Sequence, residues 1–148
     1  MVSAKLANLY KTIIMEHSKN PRNKGVSNQK DYISVHLKNP TCGDDIEISI
    51  KLNNGNLEDI RHQGTGCAIC CSSASVMSIV LKNKSIDDAN LIINGFYQIV
   101  QGNDISQEIT MGDAIAYAGV SKFPARIKCA TIPWKAIEQA ILEGGNNL

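Results

Sequence analysis

Three cysteines and one aspartate in this 148-residue chain have the types and spacing that could hold a metal. Cys42-Gly43-Asp44 places a thiol and a carboxylate two residues apart, just ahead of a strongly alternating stretch. Extended geometry points both side chains to one face, and Gly43 lets the backbone bend so that they converge. Cys67 follows Gly64-Thr65-Gly66 and opens a predicted helix. A thiol at a helix N-terminus feels the positive end of the dipole, which favours the thiolate, the form that binds metals and acts as a nucleophile. Cys129 closes the run Arg126-Ile127-Lys128-Cys129. Three thiolates and a carboxylate form a possible tetrahedral set for zinc. Such a site carries net negative charge, and Arg126 and Lys128 are the nearby cations that could offset it.

The remaining candidates are weaker. Cys70 and Cys71 lie one turn beyond Cys67 on the same helical face. They read as small packing residues, since free cysteine is often buried as a small apolar group, or as spare sulfur ligands. The only C-x2-C pair, Cys67 and Cys70, stands on a predicted helix with no second pair to answer it, so the spacing is not that of a zinc finger. His17, His36 and His62 are isolated and read as surface or strand residues. No glycine-rich phosphate loop and no G-x-S-x-G elbow occurs.

The elements that must position these residues follow from periodicity. Residues 3–18 read as an amphipathic helix that stops before Asn20-Pro21, because a residue preceding proline disfavours the α region. Residues 31–38 and 45–52 alternate as strands, the second with Ile46, Ile48, Ile50 and Leu52 on one face. Asn53-Asn54-Gly55-Asn56 is a hairpin turn, and a third strand at about 57–63 alternates less well. Residues 67–83, rich in Ala, Ser and Cys, predict a helix that packs closely on its neighbours. Ser85 is a candidate N-cap for a helix to about Val100, weakened by Gly95 and ending near Gly102. A short helix is predicted near 113–119. Pro124 opens another that carries Arg126 and Cys129. Pro133 either kinks it or starts a new helix through Leu142 that stops at Gly144-Gly145. Strands first and helices afterwards give an α+β class: a small antiparallel three-stranded sheet packed against several helices, in a single domain over 1–148.

Bulk composition narrows the function. A hydrophobic fraction of 43% and a charged fraction of 20% are those of a globular domain. Fifteen Lys and Arg nearly cancel fourteen Asp and Glu, and the basic residues are scattered, so neither nucleic acid nor a membrane surface is expected as a partner. No segment reaches the roughly 18 apolar residues of a membrane span. The expected compartment is the cytoplasm, where thiols stay reduced and five cysteines point to metal or redox chemistry rather than disulfides.

Three ordered motifs carry a family resemblance. Asn39-Pro40-Thr41-Cys42-Gly43-Asp44, Gly64-Thr65-Gly66-Cys67-Ala68-Ile69 and Arg126-Ile127-Lys128-Cys129-Ala130-Thr131 together resemble the U-type iron–sulfur assembly proteins, as does the opening Leu9-Tyr10, His17 and Asn20-Pro21-Arg22-Asn23-Lys24-Gly25. The IscU branch has histidine immediately before its last cysteine, where this chain has Lys128. The long interval 68–128, with an extra predicted helix at Ser85–Val100, is similar to the SufU branch. That resemblance implies zinc held by Cys42, Asp44, Cys67 and Cys129. It also implies a zinc-dependent sulfurtransferase that takes persulfide sulfur from a SufS-type cysteine desulfurase and works beside other iron–sulfur assembly proteins. Cys70-Cys71 departs from the family, which more usually has serine or another small residue there.

Within that frame Cys42, in a glycine-flanked loop, is expected to receive the sulfur, leaving the zinc as it does so. Arg126 is expected to stabilise the freed thiolate or the persulfide. The resemblance to SufU implies that a partner histidine replaces Cys42 on the metal. The competing readings are a scaffold that builds an iron–sulfur cluster on the same cysteines, and a zinc that only supports the fold. The carboxylate ligand argues against the last, because structural zinc sites are typically closed sets of Cys and His.

Overall fold

The computed structural model describes residues 4–27, 29–39, 43–105 and 110–146. Helix α1 (Ala4–Lys19) leads into three strands, β1 (Tyr32–Asn39), β2 (Asp44–Asn53) and β3 (Asn56–Thr65). They form one antiparallel sheet in the order β1-β2-β3. Helices α2 (Ala68–Leu81) and α3 (Ile86–Val100), a 3-10 helix (Gly112–Val120) and α4 (Pro124–Asn146) complete the chain. This is the expected α+β class with its three-stranded sheet.

The sheet buries the face that alternation marked. Val35, Ile46, Ile48 and Ile50 are buried, and Leu57 and Ile60 join them from β3. The β2–β3 turn has Asn54 at φ 54° and Gly55 at φ 78°, the left-handed pair that a tight two-residue hairpin requires. The weak alternation of β3 has a physical cause. Leu52 pairs Leu57 but Lys51 pairs Asp59, so Glu58 is an extra residue in a β-bulge. Beyond the bulge the inward set resumes one step out of phase, at Ile60 and His62.

Helix α2 is the hub. It packs on α1, β3, α4 and the 3-10 helix, and every residue from Ser72 to Ser78 is buried. A helix enclosed on all sides has no polar face for solvent, so its serines need partners inside the protein. Ser72 meets the Tyr117 hydroxyl at 2.6 Å. Ser73 donates to the Ala130 carbonyl at 2.6 Å and accepts from the Trp134 indole N–H at 2.9 Å. Ser75 accepts from the Arg22 backbone N–H at 2.8 Å and lies 2.7 Å from His17 Nδ1. Burial, and then the Arg22 charge, lower the pKa of His17. Ser78 accepts from Asn23 Nδ2 at 2.9 Å. His17, expected on the surface or in a strand, is instead buried on α1 as part of this network.

Ser85 caps α3 as expected, its hydroxyl accepting from the Asp88 N–H at 3.1 Å. Phe96 on that helix stacks on Trp134 of α4, with ring centroids 4.0 Å apart. Gly95 does not interrupt α3; it is buried against its neighbours. The question left open at Pro133 resolves to one helix, α4, that runs through it. Gly144-Gly145, expected as a stop, does not end that helix. A Cβ on Gly144 would lie 2.5 Å from Leu52 Cδ1 and 2.7 Å from Ile33 Cδ1, so a side chain there would have to displace those two terminal methyls.

Replacing Ser73 with alanine leaves the buried Trp134 N–H without an acceptor. The expected cost is about 1–3 kcal/mol of stability, read as a lower midpoint in urea unfolding. A midpoint equal to that of the unmodified chain contradicts the hub role.

Candidate metal centre

Three elements meet at one end of the sheet. Asp44 is the first residue of β2, Cys67 is the N-cap of α2, and Cys129 lies in the second turn of α4. Their donor atoms, one carboxylate oxygen and two sulfurs, all lie within 4.8 Å of one another. Two metal–ligand bonds of about 2.0–2.3 Å nearly span that separation. This is the only such group of three or more potential ligands among the described residues. Asp44 and Cys129 are buried, while Cys67 is exposed, so the group opens to solvent on the Cys67 side.

Asp44 is 1% exposed, and a carboxylate so deeply buried needs compensation. One part comes from α2. The Cys67 N–H donates to Asp44 Oδ1 at 3.0 Å, so the acid sits on the unpaired donors and positive dipole end of that helix. Gly66 permits the approach, because a Cβ there would fall 2.4 Å from Asp44 Oδ1. A cation held with Cys67 and Cys129 would add to that compensation. Two soft sulfurs and a hard oxygen, with one donor position left, form a set that suits zinc.

Cys42 lies outside the described residues. Its neighbour Gly43 has φ 74°, the left-handed bend that the Cys42-Gly43-Asp44 spacing called for. Arg126 stands at the exposed start of α4, its guanidinium 4.5 Å from the Phe123 ring centroid. It lies one helical turn before Cys129, on the same face. Lys128 lines a groove between β1 and α4 together with Lys38 and Lys135.

Cys70 is 1% exposed, within the core. Cys71 is half-buried, its thiol 3.8 Å from the Gly66 carbonyl. Burial first, then the charges at Cys67 and Asp44, push the Cys71 thiol above its ordinary pKa, away from the thiolate form. Neither belongs to the donor group. His36 pairs with Asp45 on the exposed face of the sheet. His62 is buried, and its Nε2 lies 2.7 Å from the Arg22 carbonyl.

One neighbour of the centre was not legible as such. Tyr10 of α1 packs edge-on against Tyr117, with centroids 6.0 Å apart. Burial raises its phenol pKa, the Arg126 charge opposes this, and the charges at Cys67 and Cys129 add to it. Leu9-Tyr10 entered the sequence reading as part of the family resemblance, but on an amphipathic helix a tyrosine reads as a packing residue and nothing tied it to the cysteines.

Comparisons with known proteins agree with this geometry. The model of the NifU-like N terminal domain matches residues 9–141. The chain is 48% identical over 146 residues to the zinc-dependent sulfurtransferase SufU of Bacillus subtilis (strain 168), covering 97% of this chain and 98% of that one. It is 39% identical over 147 residues to the iron–sulfur cluster assembly scaffold protein IscU of Streptococcus pyogenes serotype M1, covering 99% and 91%. The fold is also that of the N-terminal part of a NifU-like protein from Brucella abortus, with a TM-score of 0.80 over 95% of this chain and 99% of that one at 20% identity.

Replacing Gly66 with alanine sets a methyl group against Asp44 Oδ1. The variant is expected to keep the α+β fold by circular dichroism but to lose zinc to a chelator at concentrations that leave the unmodified chain loaded. Equal retention contradicts the tight Asp44–Gly66 contact.

Proposed function

The chain belongs to the NifU-like N-terminal domain family, and from that premise we propose that it is a zinc-dependent sulfurtransferase of iron–sulfur cluster biogenesis. It takes persulfide sulfur from a SufS-type cysteine desulfurase and passes it toward other assembly proteins. Its working compartment in this reading is the cytoplasm, where free thiols persist. The observation that carries the proposal is the convergence of Asp44, Cys67 and Cys129 in a chain this similar, end to end, to a named zinc-dependent sulfurtransferase.

The proposed ligands are Cys42, Asp44, Cys67 and Cys129. When bound, zinc would keep the thiols deprotonated and oriented at neutral pH. The chemistry itself belongs to the chain. The Cys42 thiolate attacks the outer sulfur of the desulfurase persulfide. A sulfur–sulfur bond forms on Cys42, the bond within the donor persulfide breaks, and its electron pair leaves with the desulfurase cysteine as thiolate. Nothing is oxidised or reduced overall. Arg126, exposed one turn before Cys129, would balance the negative charge of the new persulfide. Asp44 keeps its bond from the Cys67 N–H throughout, which holds β2 and α2 together while a partner engages the exposed side.

A second reading has support in one observation, the likeness to the Streptococcus protein named as an iron–sulfur cluster assembly scaffold. There the cluster would be cargo, built across the same cysteines and handed on. Lys128, where the scaffold branch has histidine, weighs toward the sulfurtransferase. The purified protein separates the two: colourless with one zinc, or brown with iron.

The decisive assay incubates the zinc-loaded chain with a cysteine desulfurase and L-cysteine, then alkylates and maps thiols by mass spectrometry. One added sulfur is expected on Cys42. Cys42→Ala should abolish the stimulation of desulfurase turnover, whereas Cys70→Ser with Cys71→Ser should leave it near the unmodified level. Persulfide chiefly on Cys67 or Cys129, or full stimulation by Cys42→Ala, would overturn the assignment.

A further inference from the structure

Beside the centre, the end of β1 and one face of α4 enclose a groove of about 260 Å³. Leu37 and Ile132 contribute apolar surface to it, and Lys38, Lys128 and Lys135 bring three cations. Among the described residues that line it there is no carboxylate. Lys128 and Lys135 make no ion pair among the described residues. Among the described residues Lys38 pairs only with Asp45, at 3.9 Å and with its side chain 69% exposed. A contact of that kind is weak and readily exchanged. The chain as a whole is close to neutral, at +1, so this concentration of positive charge is local.

The groove adjoins the sulfur chemistry on both sides. Lys128 is bonded to Cys129, and Asn39, at the groove's other wall, ends β1 just before the chain runs on toward Asp44. Any protein seated there is held against the centre. Lys128 and Lys135 are two helical turns apart, about 10 Å along α4. Carboxylates two or four residues apart share one face of an extended segment and stand about 7 or 13 Å apart, a range that brackets the lysine spacing and that long lysine side chains can span.

We propose that this groove docks an extended acidic segment of the sulfur-delivering protein, with an apolar side chain against Leu37 and Ile132 and carboxylates on Lys38, Lys128 and Lys135. The proposal rests on the sulfurtransferase reading and adds how the donor is recognised. Charge complementarity chooses the occupant: the exposed acidic run that a second copy would bring, Asp87-Asp88 at the start of α3, offers two carboxylates, and Glu58 and Asp59 are already engaged by Lys51 and Arg61, whereas an extended acidic segment can satisfy all three lysines. Rim charges of this kind govern encounter and salt dependence more than the chemical step.

The test is a titration of desulfurase turnover against the zinc-loaded chain. Lys38→Gln and Lys135→Gln are each expected to raise the half-saturating concentration about threefold, and the pair about tenfold, with the same maximal stimulation. Adding Lys128→Gln should raise it further. Lys→Arg at the same positions should restore it. Added salt should raise the half-saturating concentration of the unmodified chain more steeply than that of the double variant. Lys82→Gln, beyond the far end of α2, is the charge-matched control and should match the unmodified chain. Zinc content and unfolding midpoints of all variants are measured alongside, so that misfolding cannot pass for lost docking. A folded, zinc-loaded double variant with an unchanged half-saturating concentration overturns the docking proposal and leaves sulfur acceptance standing. An unmodified chain that gives no stimulation at any concentration removes the functional reading itself.

Discussion

The hydrogen bond from the Cys67 N–H to the buried Asp44 carboxylate is the contact on which the rest of the site depends. It joins the first residue of β2 to the cap of α2, and so fixes where one oxygen and one sulfur ligand stand relative to each other. The contact is possible only because residue 66 has no side chain. A carboxylate taken out of water must find positive charge or donors. The helix N-terminus provides some, and a metal cation shared with Cys67 and Cys129 would add to it. Burial of Asp44 and metal binding are thus two sides of one arrangement, which links metal affinity to the stability of the fold.

The third ligand depends on the interior of α2. Ser73 lies on the helix that Cys67 opens, and it bonds the carbonyl of Ala130, the residue after Cys129. The same hydroxyl holds Trp134, which stacks on Phe96. The distance between the exposed Cys67 at the start of α2 and the buried Cys129 on α4 is therefore set by a core contact and not by a surface loop. Polar groups enclosed in this way specify one packing, because a shifted helix would strand several of them at once. The exposed side of the centre is built differently. Cys67, Arg126 and the lysine groove all face solvent.

Much of this was legible in the sequence, for reasons that differ by element. The Ile46–Leu52 alternation and the Asn54-Gly55 turn are local signals, and both appear in the structure as read. The poor alternation of β3 was a true signal of irregularity, since Glu58 is a bulge. Asp44, Cys67 and Cys129 come together as their types and spacing suggested; the ligand role of Cys42 rests on its motif. What failed depended on tertiary contact. Gly144 looks like a helix stop, but α4 continues through it beside Ile33 and Leu52. His17 looks like a surface residue until Ser75 and Arg22 are seen closing over it. Tyr10 and the groove of Lys38, Lys128 and Lys135 join residues far apart in the chain, which no periodicity brings together.

The central claim is that a carboxylate and three thiolates hold one zinc, with Asp44 as the oxygen ligand. Zinc-edge X-ray absorption on the purified, zinc-loaded chain tests it most directly. The expected spectrum has three sulfurs at about 2.3 Å and one light atom at about 2.0 Å, and Asp44→Cys should convert it to four sulfurs. A first shell of four sulfurs in the unmodified chain, or one dominated by nitrogen and oxygen, would contradict the account.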